Sequence, residues 1–363
     1  MLEILRASVE KYSPSGEERE IAEFYFETLE QQGYLVETQE VEDSAGRNIY
    51  AQKNQRADAE SILFLGHIDT VPVSDKNAWQ TEPLVLTEDE GRLYGLGASD
   101  MKGGIAAFLE AAKNTNSYVK ILLTVDEENI SQGAWTAVTK KKDFFKDVAL
   151  IISAEPSFGR EGHEVANGRT GRCVFEVEFK GKPVHIANYK EGVDAIEEAA
   201  AFLSELYGKR EKLFKDKETV LQARKIEAES VGMSVCGEAK LEIEVLLGPK
   251  DSVKSVGSTL EEIAGEKARV KSKDRRTPYL EGYLFKDFPQ KKAVSAAIKK
   301  VTGKNASYYF RKSVADDNVL ATLGIPVITL GPNGGNEHKA NEYVEINRLK
   351  TTEKVYVEIL KLV

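Results

Sequence analysis

The sequence predicts an α/β protein: a mixed, largely parallel sheet flanked by helices, with a smaller satellite domain inserted into it. Three observations predict this. Residues 62–65, 121–125, 148–152 and 325–330 form short, nearly continuous apolar runs, the pattern of strands buried on both faces. Helical periodicity lies between them, as at 104–113. The stretch between the third and fourth runs is too long for a simple crossover and carries its own strand and helix signals.

Taken in order, a helix is expected from Leu2 to about Tyr12. Ser15-Gly16-Glu17-Glu18 fits a capping box, with Ser15 at the cap and Glu18 reaching back. Ile21, Phe24, Tyr25 and Leu29 then follow at helical spacing. Residues 34–38 and 47–51 alternate like strands. Within the long gap, 173–179 alternates as a strand and 193–206 is helical. Residues 226–235 and 240–247 read as two strands, 252–265 as a helix and 268–273 as a last strand. That order, βαββαβ, is the ferredoxin-like pattern. The expected boundaries are 1–170 and 280–363 for the main domain and 171–279 for the satellite. Lys140-Lys141-Lys142-Asp143 reads as a solvated helix end.

Composition excludes several classes. The 363 residues are 41% hydrophobic and 30% charged, enough for a sizeable core. A net charge of −9 argues against a nucleic-acid partner. Cys173 and Cys236 are far apart, which argues against a disulfide scaffold or a thiolate zinc module. No apolar run approaches membrane-spanning length. The first residues carry charges within their apolar stretch, so no signal peptide is read and a cytoplasmic location is expected.

The chemistry concentrates where ligands bind in open α/β sheets, just past the carboxyl ends of strands. His67 and Asp69 follow the first run, Glu127 and Glu128 the second, Glu155 the third, and Glu337-His338 the fourth. Asp100 precedes the helix that opens at Gly103-Gly104. Singly, each has a bland reading: a paired His, a solvated strand end, an N-cap, a turn. Together they place so many carboxylates at one edge that something positive must sit among them. Two His with several carboxylates and no thiol suit Zn²⁺, Co²⁺ or Mn²⁺. One carboxylate beyond a single tetrahedral site suggests two ions sharing a bridge.

These residues also carry a resemblance. His67-Ile68-Asp69-Thr70-Val71-Pro72, Gly97-Ala98-Ser99-Asp100-Met101-Lys102-Gly103-Gly104, Asp126-Glu127-Glu128, Ala154-Glu155-Pro156, and Glu337-His338 with Asn341-Glu342-Tyr343-Val344 occur in order along nearly the whole chain. The set resembles the co-catalytic dinuclear-zinc aminoacylase and carboxypeptidase family. That family includes acetylornithine deacetylase, succinyl-diaminopimelate desuccinylase, glutamate carboxypeptidase and the hydrolase that releases lysine or ornithine from an amino-group carrier protein. The resemblance implies a zinc-peptidase-like catalytic domain whose satellite acts as a lid and dimerisation domain. It implies that His67 and Glu155 hold one ion, Glu128 and His338 the other, and that Asp100 bridges them. Asp69 would orient the His67 ring, Glu127 would be the general base, and His185, in Gly181-Lys182-Pro183-Val184-His185, would stabilise the oxyanion. The adjacent glutamates could do different jobs because they point opposite ways if the segment is extended.

Glu rather than Asp at position 155 resembles the deacylase and carboxypeptidase branch. The implied substrate is an N-acylated amino acid or short peptide with a free carboxylate. Arg276 and Arg311 are candidates to bind that carboxylate; solvated surface arginines are the competing reading. Asn318 joins them, at the end of a segment (313–318) that resembles the family's substrate loop but has Ser313 and Val314 where Gly and Thr are usual. A homodimer is expected, and an acidic carrier protein is a further partner the family allows. A non-catalytic binding protein on the same fold would be favoured by loss of Glu127, which is present.

Overall fold

The computed structural model describes residues 1–42, 44–56, 59–156 and 162–361. Helices are α1 (Leu2–Val9), α2 (Arg19–Gln31), α3 (Gly103–Ala112), α4 (Gln132–Lys140), α5 (Ala195–Lys209), α6 (Val253–Ala264), α7 (Lys291–Thr302), α8 (Asp316–Ala321) and α9 (Ile346–Leu360). Strands are β1 (Leu35–Glu40), β2 (Arg47–Lys53), β3 (Ser61–His67), β4 (Thr87–Asp89), β5 (Arg92–Tyr94), β6 (Val119–Thr124), β7 (Val148–Pro156), β8 (Glu164–Arg169), β9 (Gly171–Lys180), β10 (Val220–Ala228), β11 (Glu238–Leu247), β12 (Ala268–Ser272), β13 (Tyr283–Leu284), β14 (Ser307–Arg311), β15 (Val327–Gly331), β16 (Gly334–Gly335) and β17 (Tyr343–Glu345). The chain forms two compact units. One comprises Met1–Gly168, Phe285–Phe310 and Ala315–Val363; the other comprises Arg169–Leu284 and Arg311–Val314.

In the first unit the strands run in the order β1-β2-β6-β3-β7-β15-β8, with β14 beside β8. The four central strands, β6, β3, β7 and β15, are mutually parallel. β1, β2 and β8 pair antiparallel at the flanks. Every residue of β3 is buried, which is why its sequence is a continuous apolar run rather than an alternation. On one face Phe64 stacks on Phe108 of α3 at 5.2 Å and meets Tyr356 of α9 edge-on at 5.0 Å. Each such aromatic pair adds about 0.5–1.5 kcal/mol beyond its burial. β4, β5, β17 and β16 form a small separate antiparallel sheet.

The second unit has a sheet in the order β10-β11-β9-β12, antiparallel throughout. Odd-numbered residues of β9 and β11, such as Phe175, Val177, Leu241 and Ile243, are buried with Phe202 and Leu206 of α5 and Val256 and Leu260 of α6. Polar even-numbered ones pair across strands on the other face: Arg172 with Glu244 at 2.7 Å, Glu176 with Lys271 of β12 at 2.9 Å.

Several expectations need correction. The first helix stops at Val9. The strand expected at 226–235 lies at Val220–Ala228; β10 is an edge strand with only Leu221 buried, so solvent contact erases the periodic signal. Ser15 and Glu18 make no capping box. α2 begins at Arg19 without a side-chain cap, because both side chains are engaged elsewhere. The satellite unit also reaches beyond 171–279. It takes in Arg169 and Thr170, residues 280–284, and Arg311–Val314, where Thr170 N–H donates to the Arg311 carbonyl.

At the start of β6, buried Lys120 donates from Nζ to the Phe144 carbonyl (2.6 Å) and to Asp147, which also accepts from Tyr118 Oη (2.7 Å). Burial works against the Asp147 charge, but these donors hold its carboxyl below the usual range. Asp147→Asn is expected to cost about 1.5–3 kcal/mol at pH 7, the range for hydrogen bonds to charged groups. Because the folded value is depressed, the contribution is complete above the ordinary carboxylate range and lost as pH falls through the folded value. Urea unfolding from pH 7 to pH 2 should show parent and variant converging at the acid end; equal midpoints at pH 7 would refute the assignment.

Candidate metal centre

The parallel strands deliver their carboxyl ends to one edge. β3 ends at His67, β7 carries Glu155, and a turn after β6 carries Glu127 and Glu128. Asp100 sits in an irregular turn, Ala98–Lys102, that leads into α3. His338 lies in the loop after β16 with φ 61°. Gly104 allows α3 to press against β7: a Cβ there would stand 2.1 Å from the Ala154 carbonyl, one residue before Glu155.

The six side chains converge. His67 Nδ1 lies 3.0 Å from the Asp69 carbonyl oxygen, so Nδ1–H donates there and a neutral ring would carry its lone pair on Nε2. Nε2 faces Asp100 Oδ1 at 3.2 Å, Glu155 Oε1 at 3.6 Å and Glu127 Oε2 at 3.9 Å. The other Asp100 oxygen, Oδ2, faces His338 Nε2 at 3.3 Å, and that nitrogen is 3.1 Å from Glu128 Oε1. One carboxylate therefore offers one oxygen to each histidine. Two groups, His67-Glu127-Glu155 and His67-Asp100-Glu128, bring their ligand atoms within 4.8 Å of one another. This oxygen and nitrogen donor set fits a pair of divalent cations.

Electrostatics express the same crowding. Burial opposes charging His67, yet hydrogen bonds to Asp100 and Asp69 raise its pKa well above the ordinary value. His338 is pushed up to about 10 by Asp100 and Glu128. Burial raises Glu127, and Glu155, Asp316 and Glu128 add to it. Glu128 is also raised by burial. Burial opposes the Asp100 charge, but the two histidines hold it well below the usual range.

The surrounding shell differs from the sequence reading. It is the Asp69 carbonyl that meets the His67 ring, with the carboxylate at 3.5 Å. The Asp69 carboxylate instead accepts Glu127 N–H at 3.1 Å, Glu128 N–H at 3.0 Å and Ser15 Oγ–H at 2.6 Å. The two glutamates occupy a turn, not an extended segment, with Asp126 at φ 64° before them. Glu18 accepts from Asp126 N–H at 3.2 Å and from Gly16 N–H at 2.9 Å. Thr124 donates to Asp316 at 2.6 Å; burial pushes Asp316 up to about 7. Glu342 accepts from the backbone beside Asp100. Ser15 and Glu18 carry no site signal of their own, being masked by resemblance to a helix cap; Asp316 lies in the 313–318 segment read as a substrate loop, and nothing there points to Thr124 as its partner.

His185, Arg276 and Arg311 belong to the satellite unit. His185 and Arg276 are exposed and Arg311 is half-buried. The His185 Nδ1 accepts from Ala187 N–H at 3.1 Å. Asn318 is in the catalytic unit, where its amide oxygen accepts from Ala315 N–H at 3.2 Å at the start of α8.

Comparison with known proteins agrees with this geometry. The pattern of Peptidase family M20/M25/M40 matches residues 63–362. A succinyl-diaminopimelate desuccinylase of Nitrosospira multiformis is 29% identical, over 98% of this chain and 96% of that protein. The aminopeptidase PepT from Bacillus cereus superposes with a TM-score of 0.82 at 19% identity, covering 99% of this chain and 97% of its own. A dinuclear metal-binding peptidase from Bacillus subtilis does so with a TM-score of 0.76 at 18% identity, covering 99% and 96%. The converging ligands, the fold and the match across most of its length agree: the chain belongs to Peptidase family M20/M25/M40 and is a hydrolytic enzyme.

Proposed function

We propose that the protein hydrolyses the amide of an N-acylated amino acid with a free carboxylate, using two Zn²⁺ ions for which Co²⁺ or Mn²⁺ can substitute. The observation that carries this reading is Asp100, with one oxygen toward His67 and the other toward His338. On this reading His67, Asp100 and Glu155 hold one ion, and Asp100, Glu128 and His338 the other. Bound there, the ions would supply Lewis acidity, acidifying a water and polarising the scissile carbonyl.

The protein's own groups do the rest. Glu127 takes the proton of the attacking water and returns it to the leaving amine. Its buried position among carboxylates strengthens it as a base. Asp69 fixes the backbone of Glu127 and Glu128 with one carboxylate, so base and ligand keep a constant offset. His185 is the proposed oxyanion donor: with Nδ1 accepting from Ala187, the neutral ring carries its proton on Nε2 and can donate it. Arg276 and Arg311 are the proposed carboxylate binders, their guanidinium forks matching that group.

The desuccinylase relative supports a deacylase of amino-acid biosynthesis. Cleavage of carboxyl-terminal dipeptides is the second reading, favoured by the peptidases among structures of this fold. Delivery by an acidic carrier protein is less well supported. The lysine cluster of the catalytic unit, Lys120, Lys140, Lys141, Lys142 and Lys146, lines a hollow by the start of β6, away from the end that leads to Glu127. For a homodimer, the support is the exposed edge of β10, with Ile226 and nearby Val231 and Met233 open to solvent. Among the described residues no helix is long and apolar enough to cross a membrane.

Glu127→Ala is expected to keep its metal content and lose about 10²–10⁴-fold in kcat, the range for general acid–base catalysis; retained turnover would refute the role of Glu127. Dialysis against a chelator should abolish activity, and Zn²⁺ or Co²⁺ should restore it. Asp69→Asn should lower activity about 10–100-fold, because its amide nitrogen would face one of the two backbone N–H donors that the carboxylate now accepts from. Rates on succinyl-diaminopimelate, acetyl-ornithine, acetyl-lysine and carboxyl-terminal dipeptides decide the substrate class. Turnover of dipeptides without any acyl-amino acid would overturn the deacylase reading.

A further inference from the structure

Glu342 is a buried carboxylate of the catalytic unit to which the reaction above gives no task. It is 2% exposed and precedes β17 in the same stretch as His338. One carboxylate oxygen accepts from Gly97 N–H at 2.8 Å; the other accepts from Ser99 N–H and Asp100 N–H, each at 2.9 Å. Two more bonds join the same segments. Gly95 N–H donates to the Glu342 carbonyl at 3.0 Å, and Ser99 Oγ–H to Glu337 at 2.9 Å. Residues 95–100 are thus fastened to residues 337–342, and each segment carries one histidine-facing or histidine ligand candidate.

A carboxylate buried only to fill space would need one cation. Lys102 is fully buried and its charge acts on Glu342, but its Nζ donates to the Lys11 carbonyl at 3.0 Å. The direct partners of Glu342 are instead the N–H groups that lead to Asp100. They set the backbone from which the Asp100 side chain springs, while the chain direction of Glu342 sets the approach of His338.

We propose that Glu342 is a positioning residue that holds Asp100 Oδ2 opposite His338 Nε2, and so governs binding of the ion shared by Asp100, Glu128 and His338. This inference rests on the two-ion reading. Moving Asp100 disturbs both ion positions; moving His338 disturbs one. Loss of the tie therefore weakens the His338 position most.

Calorimetric titration of chelator-treated full-length protein with Co²⁺, with the visible cobalt spectrum followed in parallel, tests it. The parent should bind two ions. Glu342→Gln places an NH₂ against a backbone N–H, and should weaken one ion 10–100-fold while shifting the other less. Glu342→Asp keeps the charge but is too short to span all three donors, and should change in the same direction. Val344→Ala loosens the same strand by removing buried methyl groups; it should lower the melting temperature of the metal-free protein and leave both affinities unchanged. A parent that binds fewer than two ions would sink the two-ion reading itself. If the parent binds two and Glu342→Gln binds both as tightly, the positioning role is overturned. Equal weakening by Val344→Ala overturns it too, as does failure of both Glu342 variants to fold, since the carboxylate would then serve the fold alone.

Discussion

Everything at the active edge answers to one constraint: around His67, in a largely buried place, Glu127 lies within 4.8 Å of Glu155 and Asp100 within 4.8 Å of Glu128. Like charges so placed repel strongly unless cations lie between them. The protein supplies part of the compensation through His67 and His338, whose proton affinities rise accordingly. The remainder is the reason such a cluster is suited to divalent ions. Backbone N–H groups then fix where each carboxylate points, at Asp69 for the Glu127–Glu128 turn and at Glu342 for Asp100.

How much of this was legible in the sequence depended on burial. β3 and β7 could be read directly, because strands covered on both faces have no polar positions to blur them. β9 and β11 could be read because one face is covered, which leaves a clean alternation. β10 could not be placed, since nearly all of it faces water and nothing in its side chains records a strand. The six ligand and base candidates stood out because each falls just beyond a strand or at a helix entrance, where a polar residue interrupts an apolar pattern.

The residues that support them were hidden for a different reason. Ser15 and Glu18 have the spacing of a local capping motif, and local sequence favours that reading. Tertiary contacts override it: Ser15 is drawn to Asp69, and Glu18 to the Asp126 N–H. Glu342 falls within a stretch that carries the family resemblance, but its task shows only in its hydrogen bonds to a segment more than 240 residues away. Long-range partners of this kind leave no periodic trace.

The insertion of the satellite between β8 and β14 has a temporal consequence. His67, Asp100, Glu127, Glu128 and Glu155 all precede the satellite, and His338 follows it. At roughly 5–20 residues per second of synthesis, on the order of ten seconds or more separate Glu155 from His338. The nascent chain thus carries a cluster of unbalanced negative charge before its last histidine exists, and β15 has yet to take its place beside β7. The catalytic unit closes only after the satellite's sequence has been made, so the order of genes' reading makes assembly of the centre one of the last events in the birth of the molecule.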